Sequence, residues 1–316
     1  MRKLLRRPLR SVMLCEPRYL SAYVIGVAQA MGMMGHWHRQ VSLWDGGDVG
    51  RQIAEMAPDV VWTHMAAWPP KEALAVEEVA ALLATAKRRG AVVFLHDGDP
   101  RDRAMPPAVD IPAAFTMALV NRQVPDPYWG IPSVRWPYAA MVQREAVRPE
   151  RVDYDLAFAG NLRRQRDGEA VDLYGARTDL VHELHRRLWP RMSVVSPGGG
   201  DTNNRMQVAD VVATTHAVLG FGRPEVSGWI DTRVFQWPGA GGLLITDDAG
   251  DVLEPDVHYL RFDRANAVDS ILWLLERAKG PDAQAIRDRA FAHVQRHHTW
   301  AHRVKQALAP FFGDVG

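Results

Sequence analysis

Arg233 and Gln236 stand three residues apart in the segment "DTRVFQWPGAGGLLITDDAG", which runs from Asp231 to Gly250. The segment reads as a short helix, a Pro-Gly turn, a buried strand and an acidic turn. Residues three apart on a helix share one face, so these two side chains point to a common region. A guanidinium forms charge-assisted hydrogen bonds with phosphate oxygens, and an amide group both donates and accepts. The pair therefore indicates a site for a phosphorylated ligand.

Glycine-containing loops recur in the second half of the chain. They are "GNLRRQR" (160–166), "SPGGG" (196–200), "GFGRPEVSGW" (220–229) and "TDDAG" (246–250). Glycine turns end strands in any α/β protein, but glycines also let backbone amides approach an anion, and nearby arginines favour that function. The predicted binding residues in these loops are Gly160, Asn161, Arg163, Gly220 and Gly222. The sequence contains no G-x-x-x-x-G-K-[ST] loop and no true G-x-G-x-x-G after a first strand, which disfavours P-loop and Rossmann NAD sites.

Candidates for acid–base chemistry follow an apolar run in the first half of the chain. His96, Asp97 and Asp99 belong to "HDGDPRDR" (96–103), and carboxylates and imidazoles are the usual general bases. The alternative is a plain turn, because Asp-Gly and Asp-Pro have strong turn chemistry. His64 ends the run "DVVWTH", and Glu16 follows the run "SVMLC"; both are predicted to contact a second substrate.

Short apolar runs alternate with helical patterns along the whole chain. Besides those already named, the runs are "AVVFLHD" (91–97), "YDLAFAGN" (154–161), "MSVVSPGGG" (192–200), "HAVLGFG" (216–222) and "GLLITDD" (242–248). Continuous apolar strands joined by helices predict an α/β protein with parallel sheets, and such sheets bind ligands beyond the carboxyl ends of their strands. We expect two doubly wound, Rossmann-like domains that face each other across a cleft. The expected domains are residues 1–148 and 149–316, with the last helix packing back on the first domain.

The composition is that of a globular protein with a core, since 47% of the 316 residues are hydrophobic and 24% are charged. The net charge of +1 excludes polyanion binding by bulk charge, although local basic clusters remain. Cys15 is the single cysteine, so no intrachain disulfide forms and a reducing compartment fits. The first residues lack the apolar core of a signal peptide, and no run of 18 apolar residues occurs. These features predict a cytoplasmic protein without a membrane span.

A longer pattern extends from Arg233 to Arg303. It consists of R-x-F-E, a glycine, a hydrophobic strand, an aromatic-to-acidic strand, two helices and a final H-T-x-x-x-R. Its residues here are Arg233, Phe235, Gln236, Gly241, Tyr259, Asp263, His298, Thr299 and Arg303. This pattern resembles the C-terminal half of GT-B fold glycosyltransferases, most of all the group 1 type and the spore-maturation-protein-like branch. "YDLAFAGN" is similar to the first strand of that family's donor domain, and "PDVVWTH", "AVVFLHDGD" and "VRWPYA" are similar to its acceptor domain.

The resemblance implies transfer of a sugar from a nucleotide-diphosphate-sugar, with a UDP-sugar favoured, to a hydroxyl group. The residues that it adds to the donor site are Arg233, Phe235, Gln236, Gly241 and Gly242, while His96, Asp97 and Asp99 become catalytic candidates. Asp99 matches a recurrent aspartate of the family. The family has a glutamate at position 236 that usually binds the ribose hydroxyls, and glutamine keeps the hydrogen bonding without the charge. His64 and Glu16 become acceptor-binding candidates.

The resemblance implies neither a metal ion nor a cofactor, because the nucleotide-sugar is a co-substrate. "DGD" (97–99) looks like a metal-binding motif, but it lies in the wrong half of the chain for donor chelation in this fold. His293, His297, His298 and His302 also suggest a metal site, but no carboxylate or thiolate completes a tetrahedral set. A structural or surface role is the favoured interpretation of these histidines.

The acceptor and the reaction class stay open. Basic clusters such as "MRKLLRRPLR" and "HRRLWPR" suggest DNA or another polyanion as a partner, including a hydroxymethylated base in DNA. The other interpretation of these clusters is a solvated surface and a basic tail, which is the commoner outcome. A small molecule, a cell-surface glycan and a protein are the other acceptors left open. One alternative is a nucleotide-sugar epimerase of the same fold, which needs two acid–base groups and no acceptor. Another is an inactive binding protein, which the glutamine at position 236 favours.

Overall fold

The computed structural model describes residues 7–15, 22–43, 48–64, 76–97, 109–124, 126–149, 151–160, 162, 175–195, 208–222 and 228–315. The chain divides into two compact units. The first comprises residues 1–138, 226–229 and 300–316, and the second comprises residues 139–225 and 230–299. Across the described ranges, no helix combines the length and the apolar character that a membrane crossing requires.

The first unit is built around a parallel sheet. Its elements are β1 (Arg10–Cys15), α1 (Ala22–Met33), β2 (Trp37–Ser42), α2 (Val49–Met56), β3 (Val60–His64), α3 (Val76–Arg88), β4 (Val92–Asp97), α4 (Ile111–Ala114), β5 (Met117–Val120), β6 (Ser133–Arg135) and the last helix of the chain, α10 (Trp300–Phe312). The six strands have the order β2-β1-β3-β4-β5-β6, and all neighbours are parallel. Every residue of β4 is buried, as its continuous apolar sequence predicts.

Helix α10 packs against α1, where a glycine makes room for a tryptophan. A Cβ atom built on Gly26 would lie only 2.1 Å from Cδ1 of Trp300. Trp300 is fully buried, and its ring meets those of Tyr23 and Trp136 edge to face, with centroids 5.9 and 5.5 Å apart. The Trp136 indole N–H donates to the carbonyl oxygen of Arg303, at 2.7 Å. The C-terminal helix is therefore part of the aromatic core of the first unit.

The second unit is also built around a parallel sheet. Its elements are β7 (Tyr154–Ala159), α5 (Gly175–Leu188), β8 (Met192–Val195), α6 (Val208–Thr214), β9 (Thr215–Leu219), α7 (Arg233–Ala240), β10 (Leu244–Thr246), β11 (Leu260–Arg261), α8 (Ala267–Lys279) and α9 (Ala283–His297), with a 3₁₀ turn at Arg264–Asn266. The five strands have the order β11-β10-β9-β7-β8 and are parallel. Both sheets reverse their winding once, between β1 and β3 and between β7 and β9. The prediction of two doubly wound α/β sheets is thus confirmed.

The segment after Asp231 differs from the predicted short helix and Pro-Gly turn. Pro238 and Gly239 lie inside α7, and the turn is made by Gly241, whose φ of 99° only glycine adopts readily. The amides of Gly241 and Gly242 donate to the carbonyl oxygens of Pro238 and Trp237, which closes the helix. Gly239 stays helical because it packs tightly: a Cβ there would lie 2.4 Å from the Cβ of Ala140. Tertiary packing outweighs the local turn signal.

Candidate functional site

The second sheet reverses its winding between β7 and β9, and ligands bind parallel α/β sheets at such switch points. β7 ends at Ala159 and leads into Gly160, whereas its neighbour β9 ends at Leu219 and leads into Gly220. Both glycines are buried. The structure therefore brings two of the predicted donor residues, Gly160 and Gly220, to neighbouring positions at the carboxyl edge of this sheet.

Arg233, the first residue of α7, reaches the same edge, and its guanidinium is anchored on two sides. Nε donates to the carbonyl oxygen of Ala159 at 2.7 Å, and Nη1 donates to Oδ2 of Asp231 at 2.6 Å. The side chains of Arg233 and Asp231 are only 11% and 7% exposed. Nη2 forms no hydrogen bond within the described part of the chain. The arginine is thus held rigidly with one nitrogen available to a ligand.

Gly160 permits this position of the guanidinium. A Cβ at residue 160 would lie 2.3 Å from Nη2 of Arg233 and 2.8 Å from Cζ of Phe158. The guanidinium carbon also lies 5.6 Å from the centroid of the Phe158 ring, within the range of a cation–π contact. Any larger residue at position 160 would displace the guanidinium. The glycine and the arginine therefore form one feature, which can receive an anion at the switch point.

The other two predicted residues of α7 differ in environment. Gln236 follows Arg233 by three residues and is half-buried, and its side-chain amide forms no hydrogen bond with the described residues. Phe235 is fully buried, and its ring centroid lies 5.6 Å from that of His298. The assignment of Gln236 to a ligand stays a prediction, whereas Phe235 belongs to the interior of the second unit.

A buried carboxylate holds the loop that follows β9. Oδ1 of Asp247 accepts from the Gly222 amide at 2.6 Å, and Oδ2 pairs with Nε of Arg264. Nη2 of Arg264 donates to the carbonyl oxygen of Gly222 at 2.7 Å, so both polar groups of Gly222 are bound. We call this arrangement of Asp247, Arg264 and Gly222 the Asp247 bracket. A cavity of about 480 Å³ adjoins it and is lined by Asp247, Asp248, Arg261, Phe262, Asp263 and Arg264.

The sequence alone does not predict this bracket. The loop "TDDAG" follows a strand, which predicts a position at the carboxyl edge, but no pattern in the sequence distinguishes a single residue of it. Arg264 lies 17 residues after Asp247, and no motif links the two positions. The sequence shows two adjacent aspartates, Asp247 and Asp248, but it does not reveal the hydrogen-bond partner of either carboxylate.

Asp247→Ala is expected to release the Gly222 amide. Loss of a hydrogen bond to a charged acceptor should speed exchange of this amide by a factor of roughly 10 to 100. Hydrogen–deuterium exchange with mass spectrometry of peptides that cover residue 222 measures the effect. Asp248→Ala is the matched control, because Oδ1 of Asp248 accepts instead from the Gly250 amide at 2.8 Å. Equal protection of Gly222 in both variants would contradict the bracket.

Gly241 and Gly242 lie at the opposite edge of the second sheet. They follow α7 and precede β10, so they are at the amino end of that strand. A Cβ on Gly241 would lie 2.7 Å from the carbonyl oxygen of Val147, and one on Gly242 would lie 2.9 Å from Cγ2 of Val212. The structure gives both glycines a packing function. It does not bring them together with the predicted donor residues at the carboxyl edge.

In the first unit, His96 and Asp97 end β4 and are both buried. The His96 ring stacks on that of Tyr23, with centroids 4.2 Å apart. Oδ2 of Asp97 accepts from the Tyr128 hydroxyl at 3.0 Å and pairs with Nη2 of Arg122 at 3.0 Å. This carboxylate thus belongs to a buried ion pair, and the imidazole belongs to an aromatic stack. Such surroundings favour positioning functions over direct contact with a substrate.

Five further predicted site residues remain, and only one of them, His64, lies among the described residues. His64 ends β3, where its backbone is in register with His96 on β4. Asp99, Glu16, Asn161 and Arg163 lie outside the described residues. The functions assigned to them from sequence stay predictions.

Histidine rings gather at the end of α9. The ring centroid of His293 lies 4.6 Å from that of His258 and 5.2 Å from those of His297 and His298. Burial, reinforced by the nearby charge of His293, lowers the pKa of His258, whose Nδ1 accepts from the Glu254 amide at 3.1 Å. Within the ranges that the structure covers, no group of three or more His, Cys, Asp or Glu residues is arranged to hold a metal ion.

The C-terminal part of the chain matches a protein family. Residues 157–309 match the family model described as glycosyl transferase-like. This segment contains Gly160, Gly220, Arg233, Gln236 and the Asp247 bracket. No curated protein sequence matches the chain.

Solved structures share the fold over nearly the whole chain. A glycosyltransferase from Rickettsia africae has 12% identity and a TM-score of 0.52, with 96% of this chain and 98% of that chain covered. Anabaena HepE in complex with UDP and glucose has 11% identity and a TM-score of 0.50, with 96% and 100% covered. BGT of T4 phage in complex with UDP and Mn²⁺ has 12% identity and a TM-score of 0.56, with 94% and 99% covered.

These similarities define the class of fold. The chain has the GT-B fold, with two Rossmann-like α/β units, and its residues 157–309 match the glycosyl transferase-like family model. The fold implied by the sequence resemblance is thereby confirmed.

Proposed function

We propose that the chain is a glycosyltransferase that moves a hexose from a nucleotide-diphosphate-sugar to a hydroxyl acceptor. The observation that carries the proposal is the guanidinium of Arg233. It is fixed by Ala159 and Asp231, and it presents Nη2 over Gly160 at the switch point of the second sheet. The arrangement lies inside the glycosyl transferase-like segment. A rigid, partly desolvated cation beside a helix N-terminus suits a diphosphate.

The proposed donor is a UDP-sugar. Support comes from the HepE and T4 BGT structures of the same fold, both of which contain UDP. Arg233 binds the diphosphate in this proposal, and Gln236 contacts the ribose hydroxyls through its amide. Gly160 is the proposed point of close approach between ligand and backbone, and Gly220 and Gly222 belong to the loop that is proposed to adjoin the ligand. We further propose membership of the spore-maturation-protein-like branch, for which the final H-T-x-x-x-R motif is the support.

The proposed chemistry needs one base and one electrostatic contact. In an inverting transfer, the acceptor oxygen bonds to the anomeric carbon, its proton passes to a carboxylate, and the bond from the sugar to the diphosphate breaks. Arg233 stabilises the negative charge that develops on the leaving UDP. Asp99 is the proposed base, while Asp97 and His96, held in the interior, position the segment that carries it. The proposal requires no metal ion.

The acceptor is proposed only as a hydroxyl compound, and a hydroxymethylated base in DNA is one member of that class. A cytoplasmic location accompanies the proposal, with the single cysteine as its support.

Thermal unfolding with a panel of nucleotides tests the proposed donor. UDP and UDP-sugars at millimolar concentration should raise the melting temperature, because a ligand that binds only the folded state stabilises it. GDP species, ATP and NAD serve as comparisons. A shift with GDP species alone would move the donor to that nucleotide, and no shift with any nucleotide would refute the proposed function.

A turnover measurement then separates the reaction classes. Incubation with the stabilising nucleotide-sugar and a mixed panel of acceptors, with chromatography of products, should show UDP release that depends on an acceptor. Isomerisation of the sugar without UDP release would identify an epimerase. Binding without any product under all conditions would favour a binding protein.

A further inference from the structure

An exposed tryptophan marks the edge of the first sheet that the proposed chemistry does not use. Trp37, the first residue of β2, is 70% exposed, and Met33, at the end of α1, is 58% exposed. A cavity of about 580 Å³ adjoins the indole and is lined by Arg7, Pro8, Arg10, Trp37, Glu55 and Met56. We call this region the Trp37 face. The thioether of Met56 lines the same cavity as this exposed indole, so the face indicates a partner.

The Trp37 face lies at the amino edge of the sheet. Arg10 and Trp37 are the first residues of β1 and β2, and Asp59 directly precedes β3. A second cavity, of about 280 Å³, shares Arg7 and Arg10 with the first and extends to Arg89, just before β4. Parallel strands place these residues at the edge opposite the carboxyl ends, where His64 and His96 lie. The face is therefore separate from the candidate acceptor residues of this unit.

The charge of the region is positive. Three arginines and two carboxylates line the two cavities, namely Arg7, Arg10, Arg89, Glu55 and Asp59. The neighbouring β2, α2 and the N-cap of α2 add the exposed Arg39, Arg51 and Asp48. Asp59 is occupied by Arg7, with Nη2 to Oδ1 at 2.7 Å, and Glu55 lies 3.6 Å from Arg51. These five arginines and three carboxylates give a net charge of +2, against +1 for the whole chain.

We infer that the Trp37 face binds the surface of an anionic lipid bilayer. An indole and a thioether enter the interfacial layer, where tryptophan is enriched, and the arginines contact the headgroup phosphates. A single-stranded nucleic acid is the less suitable partner. It requires a series of aromatic platforms, whereas here one indole stands beside a methionine. The inference does not depend on the proposed sugar transfer.

Vesicle flotation with the purified full-length chain tests the inference. The chain should float with vesicles of phosphatidylcholine and phosphatidylglycerol but not with pure phosphatidylcholine, and added salt should weaken the binding. Trp37→Ser should lower the apparent partition coefficient on the order of tenfold. The double variant Arg39→Gln/Arg89→Gln should lower it by roughly 30-fold, because two cationic contacts to the anionic surface are lost.

Trp273→Ser is the matched control, because Trp273 is 62% exposed on α8 in the other unit. This variant should float like the unsubstituted chain, and circular dichroism melting should show that all variants are folded. The inference is overturned if the anionic vesicles capture no more protein than neutral ones. It is also overturned if Trp273→Ser loses as much binding as Trp37→Ser. Binding of a single-stranded oligonucleotide through Trp37, without binding to vesicles, would overturn it in favour of nucleic acid.

Discussion

Arg233→Ala is expected to weaken UDP binding on the order of 100-fold, which is the value of a lost charge-assisted contact to a phosphate. The effect should be this large because the guanidinium is already immobilised. Nε is bound to the carbonyl oxygen of Ala159 and Nη1 to Asp231, so little entropy is lost when Nη2 meets the ligand. Isothermal titration calorimetry with UDP measures the change. Arg233→Lys should also bind poorly, since an ammonium lacks the planar geometry that joins Ala159 to Asp231.

Removal of Arg233 also leaves the buried Asp231 without its cation, so stability must be measured alongside affinity. A loss of about 3 kcal/mol is expected for a broken buried pair. Arg191→Ala is the matched control, because Nη2 of Arg191 pairs with Oδ1 of Asp155 at 2.6 Å near the amino edge of the same sheet. It should leave the affinity for UDP unchanged. Unaltered affinity in a folded Arg233→Ala variant would refute the placement of the diphosphate.

The parallel sheets were predictable because strands that are buried on both faces have continuous apolar sequences. "AVVFLHD" and "YDLAFAGN" are continuous apolar runs, and the structure has strands at Val92–Asp97 and Tyr154–Ala159. A strand that is buried on both faces cannot carry alternating polar residues, so its sequence reveals its burial directly. The rule that ligands bind at carboxyl ends then selected Gly160 and Gly220 without any knowledge of strand order.

Edge elements were not predictable in the same way. β2 has the sequence "WHRQVS", in which only Val41 is buried. β2 is the edge strand of the sheet that the described residues form, so polar residues are tolerated and the apolar signal disappears. The same reasoning explains why the sequence does not predict the exposure of Trp37. A tryptophan in sequence is more often in the core, and only the structure shows it exposed.

The candidate site shows which contacts cannot be predicted from the spacing of residues along the chain. Helical periodicity placed Arg233 and Gln236 on one face, but the partner of Arg233 is the carbonyl oxygen of Ala159, 74 residues away. Gly241 and Gly242 show a second limit of local patterns. The sequence predicts that these glycines contact the ligand, and the structure adds that a left-handed turn at Gly241 and close packing at both positions also require glycine. Local patterns identify residue types, whereas tertiary contacts decide which glycines face a ligand.

Gly26→Ala is expected to destabilise the first unit by about 3 kcal/mol, at the upper end of the cost of overpacking a core. The added methyl group would lie within 2.3 Å of Cδ1, Cγ and Nε1 of Trp300. The Trp300 ring cannot move aside easily, because it is fully buried against Tyr23 and Trp136. Either α10 separates from α1 or the aromatic cluster rearranges. Urea unfolding followed by tryptophan fluorescence measures the loss.

Gly32→Ala, in the same helix, isolates the steric cause. A Cβ at Gly32 meets no atom within 4 Å, so the substitution should be neutral or stabilise the helix by about 0.5–1 kcal/mol. The two variants add the same methyl group to α1, and helix propensity favours both equally. Their difference therefore reports only the contact with Trp300. Similar stabilities for the two variants would show that α10 does not pack on α1 through Trp300.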